Sequence, residues 1–312
     1  MAIQRSNADA FNDAQKYSEF LIQTLPDIML PDNMYRNVSD FADGTTLNIA
    51  TTGAATIQEV AEGIPLNFTA IDSGTVTMSI NEYVGDAWFV SDEVRQDFRR
   101  IAALEAARAQ ESAIALAEWH ETNFLKALNA GQTAGDPNVI NGVNHRIPGT
   151  GTSGVITLED ISRMKYAFDK ARVPAQGRVL FVDPSVEFTF NQLTQVVTSD
   201  NPMFEGIVTE GFAQSHKFIR NIYGFDIWTT NYLPTGSFDD GTTTISDGVA
   251  NIAMSLMSDQ HTPAMYAQRV APSIEGWRDH EERREKFQTT TRDGFGIQRV
   301  DTLGVIYTLA TV

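Results

Sequence analysis

The residues whose spacing could do chemistry begin with His120-Glu121-Thr122-Asn123-Phe124. A zinc-peptidase helix needs His-Glu-x-x-His, because two imidazoles one turn apart hold the metal while the glutamate acts as base. Phe124 stands where the second imidazole is required, so that reading fails. The five histidines (His120, His145, His216, His261 and His280) lie far apart in the chain, and their spacing supports no shared metal. Gly149-Thr150-Gly151-Thr152-Ser153-Gly154 matches the dinucleotide fingerprint letter by letter. That fingerprint works only when a strand leads into it and a helix opens on its last glycine. Here His145-Arg146-Ile147-Pro148 precedes it, no strand is expected there, and the next helix is expected only from Thr157, so it reads as a loop. Asp183 closes an apolar strand, a place where α/β enzymes put acids, but Pro184 follows and the pair reads as the start of a turn. Ser153 and Ser185 are loop serines, and no G-x-S-x-G elbow occurs. No carboxylate pair stands out among 40 acidic residues. No catalytic, cofactor-binding or metal-binding residue is therefore expected.

Composition narrows the classes further. The 312 residues suggest about two domains, and 42% hydrophobic content is enough for a core. A net charge of −17 argues against a broad nucleic-acid-binding face, since phosphates attract Lys and Arg. The acidity also serves plain solubility. With no cysteine there are no disulfides, thiolates or Cys-based zinc sites. No run of about 18 apolar residues exists to span a membrane, and MAIQRSNADAFNDAQKY lacks the apolar stretch of a signal peptide.

The elements that would position these residues follow an order with no catalytic logic. Residues 1–40 hold a short helical candidate, Phe11 to Leu25, broken by Pro26 and Pro31. Residues 41–90 contain no Lys or Arg but hold Asp43, Glu59, Glu62, Asp72, Glu82 and Asp86. Within them Leu66–Ile71 and Thr75–Ile80 alternate with period two, and Asp72-Ser73-Gly74 between them predicts the turn of a hairpin. An isolated hairpin is marginal in water, so it must dock, either on its own domain or on a neighbour seeking basic groups. Ser91 is a candidate N-cap for one unbroken helix to Asn129, about 55 Å long, with Gly131 as its stop. Its apolar stripe changes side: Val94, Phe98, Ile101, Leu116 and Trp119 share one face, while Phe124 and Leu128 lie on another. That fits a spine with several neighbours, or else a buried core helix.

Residues 130–154 read as a Gly/Asn/Pro-rich loop. Thr157 and Asp160 predict a capping box for LEDISRMKYAFDKAR. RVLFV (178–182) predicts a buried strand, VEFTFNQL a helix, 217–234 a strand around Gly224, FDDGTTT (238–244) a loop tip, and NIAMSLM (251–257) another buried strand. The last residues alternate, over Thr289–Val300 and Leu303–Leu309. The mixed-sign run WRDHEERREKF (277–287) is either a solvated face or a ladder that sets register between subunits. A projecting hairpin, a spine-like helix and returning strands suit a subunit of a polymer shell.

In this order the parts resemble the major capsid protein of tailed bacteriophages, the Hong Kong 97 fold, over nearly the whole chain. Residues 1–40 resemble its N-terminal arm and 41–90 its extended E-loop, with Asp72, Ser73 and Gly74 near the tip in contact with another subunit. Residues 91–145 resemble the peripheral domain with its spine helix, 146–267 the axial domain, and 268–312 strands returning to the peripheral domain. LEDISRMKYAFDKA, GRVLFVDPSVEFTFNQL and IYGFDIWTTNYLP carry the axial part of the resemblance.

The resemblance implies an α+β fold and a non-enzymatic subunit without cofactors. Such subunits assemble as hexamers and pentamers into an icosahedral virion shell around double-stranded DNA that is not specifically bound. Implied partners are further copies of the chain, a separate scaffolding protein and a portal protein, with no membrane and with synthesis in a host cytoplasm. Some relatives crosslink through an E-loop lysine; residues 41–90 hold none, so no such crosslink is expected. The arm-like segment starts almost at once, so removal of a large N-terminal scaffolding region is not expected either. Alternatives are an encapsulin-like nanocompartment shell, an enzyme on an α/β domain, and a phage tail protein.

Overall fold

The computed structural model describes residues 27, 29–31, 34–39, 46–53, 55, 57–60, 68, 70–97, 101–192 and 218–309. In chain order the strands and helices are β1 (Arg36–Asn37), β2 (Thr46–Thr52), β3 (Ser73–Ser79), β4 (Glu82–Ser91), α1 (Asp92–Asp97), α2 (Ile101–Ala130), β5 (Val139–Ile140), β6 (Val143–Asn144) and β7 (Arg146–Pro148). They continue as α3 (Leu158–Lys170), β8 (Arg178–Val182), α4 (Pro184–Gln192), β9 (Phe218–Ile222), β10 (Phe225–Thr229), β11 (Thr235–Asp239), β12 (Thr244–Ser255), β13 (Ala264–Asp279), β14 (Arg284–Ile297) and β15 (Leu303–Leu309). The helical candidate Phe11–Leu25 lies outside the described residues, as does the junction 98–100 between α1 and α2.

A seven-stranded sheet runs β7-β15-β12-β8-β10-β9, with β11 on β12. Its central strand β8 is buried along its whole length, as RVLFV predicts. Side chains alternate across a strand, so its two faces meet different helices. Leu180 and Val182 join Ile161, Met164 and Phe168 of α3, while Val179 and Phe181 join Phe124, Leu125 and Leu128 of α2. Burying each of these large side chains contributes about 1.5–3 kcal/mol. The α3 N-terminus is the expected capping box: Thr157 accepts from the Asp160 N–H and Asp160 accepts from the Thr157 N–H. Gly131 ends α2 where a Cβ would stand 2.9 Å from side-chain atoms of Ile297 and Leu303.

A second, four-stranded sheet runs β1-β13-β14-β4. The helix α2, about 45 Å long, spans both sheets. Its C-terminal turns pack on the larger one, and its middle reaches β14, where Ser112 and Thr289 join their hydroxyls at 3.3 Å. The switch of apolar stripe along this helix has that cause.

Four sequence expectations are corrected. The strand pairing with 73–79 is 46–52, in the register Thr52↔Ser73 to Thr46↔Ser79, and Phe68, Ala70 and Ile71 lie in no strand. Asp72-Ser73-Gly74 is therefore not the turn: Ser73 and Gly74 pair with Thr52 and Thr51, and the Gly53 N–H bonds the Asp72 carbonyl. The short strand β7 does precede the Gly149–Gly154 loop, because it needs only three residues to pair with β15. Residues 217–234 hold two strands: Tyr223 and Gly224, both at positive φ, make a tight hairpin turn between β9 and β10. Within 268–312, β14 lies in the four-stranded sheet while β15 pairs with β12 in the larger one.

Candidate interaction surfaces

The chemically suggestive residues are absorbed into structure. His120 lies edge-on among Tyr35, Tyr266 and Phe295, with ring centroids 4.9–5.7 Å away. Both carboxylate oxygens of buried Glu121 are occupied, one by the Leu30 N–H at 2.8 Å and one by the Thr230 hydroxyl. His145 is buried with Nδ1 3.0 Å from the Leu303 carbonyl; burial lowers its pKa. His261 pairs with the Ser258 hydroxyl at 2.7 Å, and His216 lies outside the described residues. Among the described residues no three His, Asp or Glu side chains converge as metal ligands.

The Gly149–Gly154 loop holds an anion already, and it is the chain's own. Asp160, fully buried, accepts from the Thr150 N–H (3.1 Å), the Thr150 hydroxyl (2.8 Å) and the Thr157 N–H (2.8 Å). A Cβ on Gly149 would stand 2.4 Å from the Gly154 carbonyl oxygen, so the glycine serves a loop folded on itself. Asp183 is the turn-starter expected: Oδ2 accepts from the Ser185 N–H at 2.9 Å at the start of α4.

What remains unsatisfied is surface. The β2–β3 hairpin is anchored at its root, where Leu47, Ile49, Val76, Met78 and Ile80 meet Met265 and Ala267. Gly296 makes room for Met78, whose Cγ would be 2.8 Å from a Cβ there. Each strand then runs about 23 Å, and beyond it lies the segment 53–72. There Ile57 is 98%, Phe68 93%, Ile71 85% and Val60 71% exposed. Four large apolar side chains from one short stretch of sequence are thus left bare. Asp72, Ser73 and Gly74 sit at the base of this segment, not at its apex.

Among the described residues, α2 covers one face of the four-stranded sheet and nothing covers the other. On the covered face Trp88 stacks on Phe287 at 4.1 Å and Arg108 bonds Asp86 at 2.7 Å. On the other, Phe89, Lys286 and Trp277 are cross-strand partners, as are Tyr83 and Arg292, and the three aromatic side chains are exposed. The charged run 277–287 forms the end of the β13–β14 ribbon. Its charges pair within the subunit: Arg278 with Asp92 (2.7 Å), and Lys286 with Asp279 (2.5 Å) and Glu282 (2.9 Å). The Lys286 bond holds the Asp279 carboxyl below its ordinary pKa.

Between α2, the four-stranded sheet and Met29–Tyr35 lies an apolar groove of about 710 Å³. At its floor Asp293 is only 1% exposed. Burial pushes its carboxyl up to about 6; the Tyr266 hydroxyl, 3.3 Å from Oδ2, pulls it down, and the Glu82 carboxylate across the ladder adds to the rise. Sequence reading missed this site, because Asp293 and Glu82 are far apart in the chain. The available signal was the inward period of β14, which puts an acid in line with Thr289 and Thr291.

The sequence model of the phage capsid protein family matches residues 72–311. No curated protein matches the chain. Solved structures with the same fold include one from Mycobacterium phage Che8, with 18% identity, TM-score 0.70, and coverage of 95% of this chain and 98% of that one. The capsid structure of cyanophage P-SCSP1u aligns with 15% identity and TM-score 0.72, covering 98% and 95%. The mature capsid of bacteriophage PhiM1 aligns with 10% identity and TM-score 0.73, covering 99% and 95%.

Proposed function

The chain belongs to the phage capsid protein family, and from that premise we propose how its copies hold together. It is a major capsid protein of the Hong Kong 97-type fold, and it forms the shell of the virion. A nanocompartment shell is not favoured, since the family and the structures named above are those of phages.

In the proposed mechanism the hairpin segment 53–72 of one subunit docks on the open sheet face of the next. The observation that carries this is the exposure of four apolar side chains, Ile57, Val60, Phe68 and Ile71, in this one segment. The segment carries Glu59, Glu62 and Asp72 and no Lys or Arg. The open face carries Tyr83, Phe89 and Trp277 beside Arg292 and Lys286. Apolar meets aromatic, and acid meets base. Tip and face differ, so the contact is head-to-tail, and such contacts form rings where the rotation between neighbours closes. Hexamers and pentamers of an icosahedral shell are the rings proposed, with Asp72, Ser73 and Gly74 at the edge of the contact.

We extend the proposal to the division 1–40 arm, 41–90 E-loop, 91–145 and 268–312 peripheral domain, and 146–267 axial domain, with β15 tying the last segment to the axial sheet. The subunit acts without catalysis. A separate scaffolding protein, a portal and packaged double-stranded DNA are its proposed partners, and host cytoplasm its place of synthesis. The net charge of −17 supports DNA held without adhesion. Expression of the chain, alone and with candidate scaffolds, followed by negative-stain electron microscopy, tests the reading. Rings or closed shells are expected, and monomers under every condition overturn it.

A further inference from the structure

We propose that the groove between α2 and the four-stranded sheet is a binding site for a small molecule bearing an alkylammonium group, with the ammonium paired to Asp293 and the alkyl body along Leu116, Pro272 and Ile274. The groove lies on the opposite face of the four-stranded sheet from the docking residues Tyr83, Phe89 and Trp277. Its volume, about 710 Å³, is that of a small-molecule pocket. The walls are largely apolar, and among the described residues no Lys or Arg lines them.

The polar requirement of the groove is specific. Asp293 is 1% exposed and its Oδ1 has no hydrogen-bond partner, while Oδ2 takes only the long bond from the Tyr266 hydroxyl at 3.3 Å. A buried carboxylate oxygen left unpaired costs about 1–3 kcal/mol or more, which a cationic donor recovers and an apolar or anionic ligand does not. The other acid in the wall, Glu121, is already satisfied at both oxygens. Tyr35, Tyr266 and His120 stand with ring centroids 5.0–5.7 Å apart, a cluster suited to a cation beside π-faces. Glu82 on β4, directly across the ladder from Asp293, adds negative potential. A metal ion is disfavoured, because no third ligand converges among the described residues.

The titratable groups facing Asp293 are Glu82 on β4, Tyr266 on β13, and His120 and Glu121 on α2. With the Asp293 carboxyl at about 6, the ligand-binding anion falls to about a tenth of its population at pH 5, so affinity drops about tenfold from pH 7.5.

Hexylammonium and 1-hexanol, titrated calorimetrically into the purified full-length chain, separate charge recognition from apolar filling. At pH 7.5 hexylammonium is expected to bind at least about tenfold more tightly than hexanol, and about tenfold more weakly at pH 5. Asp293→Asn should bring the two ligands level at pH 7.5. Ala117→Phe, at an exposed position on the groove wall, should weaken both without touching the core. Equal affinity for amine and alcohol in the folded wild type overturns the proposal. So does amine selectivity that survives Asp293→Asn, or no amine binding at all.

Discussion

Replacing Ile57 and Phe68 together by Ser removes two bare apolar side chains from the hairpin end. They are 98% and 93% exposed, so the subunit itself should lose no more than about 0.5 kcal/mol. Fully burying one such side chain is worth about 1.5–3 kcal/mol. Ordering the segment on a neighbour consumes part of that gain, which leaves about 2 kcal/mol lost per contact. At about 1.4 kcal/mol per factor of ten, each contact weakens about 30-fold. In a head-to-tail ring every subunit makes one such contact, so the concentration needed for assembly should rise by about the same factor. Light scattering against protein concentration reads that threshold, and circular dichroism melting checks that the subunit is intact. A variant that melts normally and assembles at the wild-type threshold would refute the docking argument.

Three further outcomes follow from the same geometry. Met78→Ala empties a buried site under the hairpin root and should cost about 2–4 kcal/mol, read as faster hydrogen exchange of the β2 and β3 amides than of β12. Asp160→Ala strands the donors of Thr150 and Thr157 and should destabilise by about 2–4 kcal/mol in chemical denaturation. Asp293 has a folded pKa of about 6 against an ordinary 3.8, so its contribution is full below pH 3.8 and is lost as pH rises through 6. Asp293→Asn should therefore stabilise at pH 7.5, by up to about 3 kcal/mol, and have little effect near pH 4; equal effects at both pH values would contradict that assignment.

Local signals were legible where a short stretch of chain decides the structure. Thr157 with Asp160 announced a cap, and RVLFV a strand buried on both faces, because each depends on neighbours a few residues away. The order of parts was enough to suggest the shell fold. Hairpin register was not legible, since Thr75–Ile80 alternates equally well against either flanking segment. The choice of 46–52 rests on Leu47 and Ile49 meeting Val76 and Met78 over Met265. The place of β15 was equally hidden, because its fully buried pattern fits either sheet. The groove was least legible of all: its walls come from Met29, α2 and the β13–β14 ribbon, and its floor from one acid whose partner residue stands across the ladder.

The most direct test is a cryo-electron-microscopy reconstruction of the assembled particle, with the chain traced through residues 46–79 in neighbouring subunits. The account predicts Ile57 and Phe68 buried against Tyr83, Phe89 and Trp277 of the next subunit around each ring. A segment folded back on its own subunit, or left in solvent in a stable shell, would contradict it.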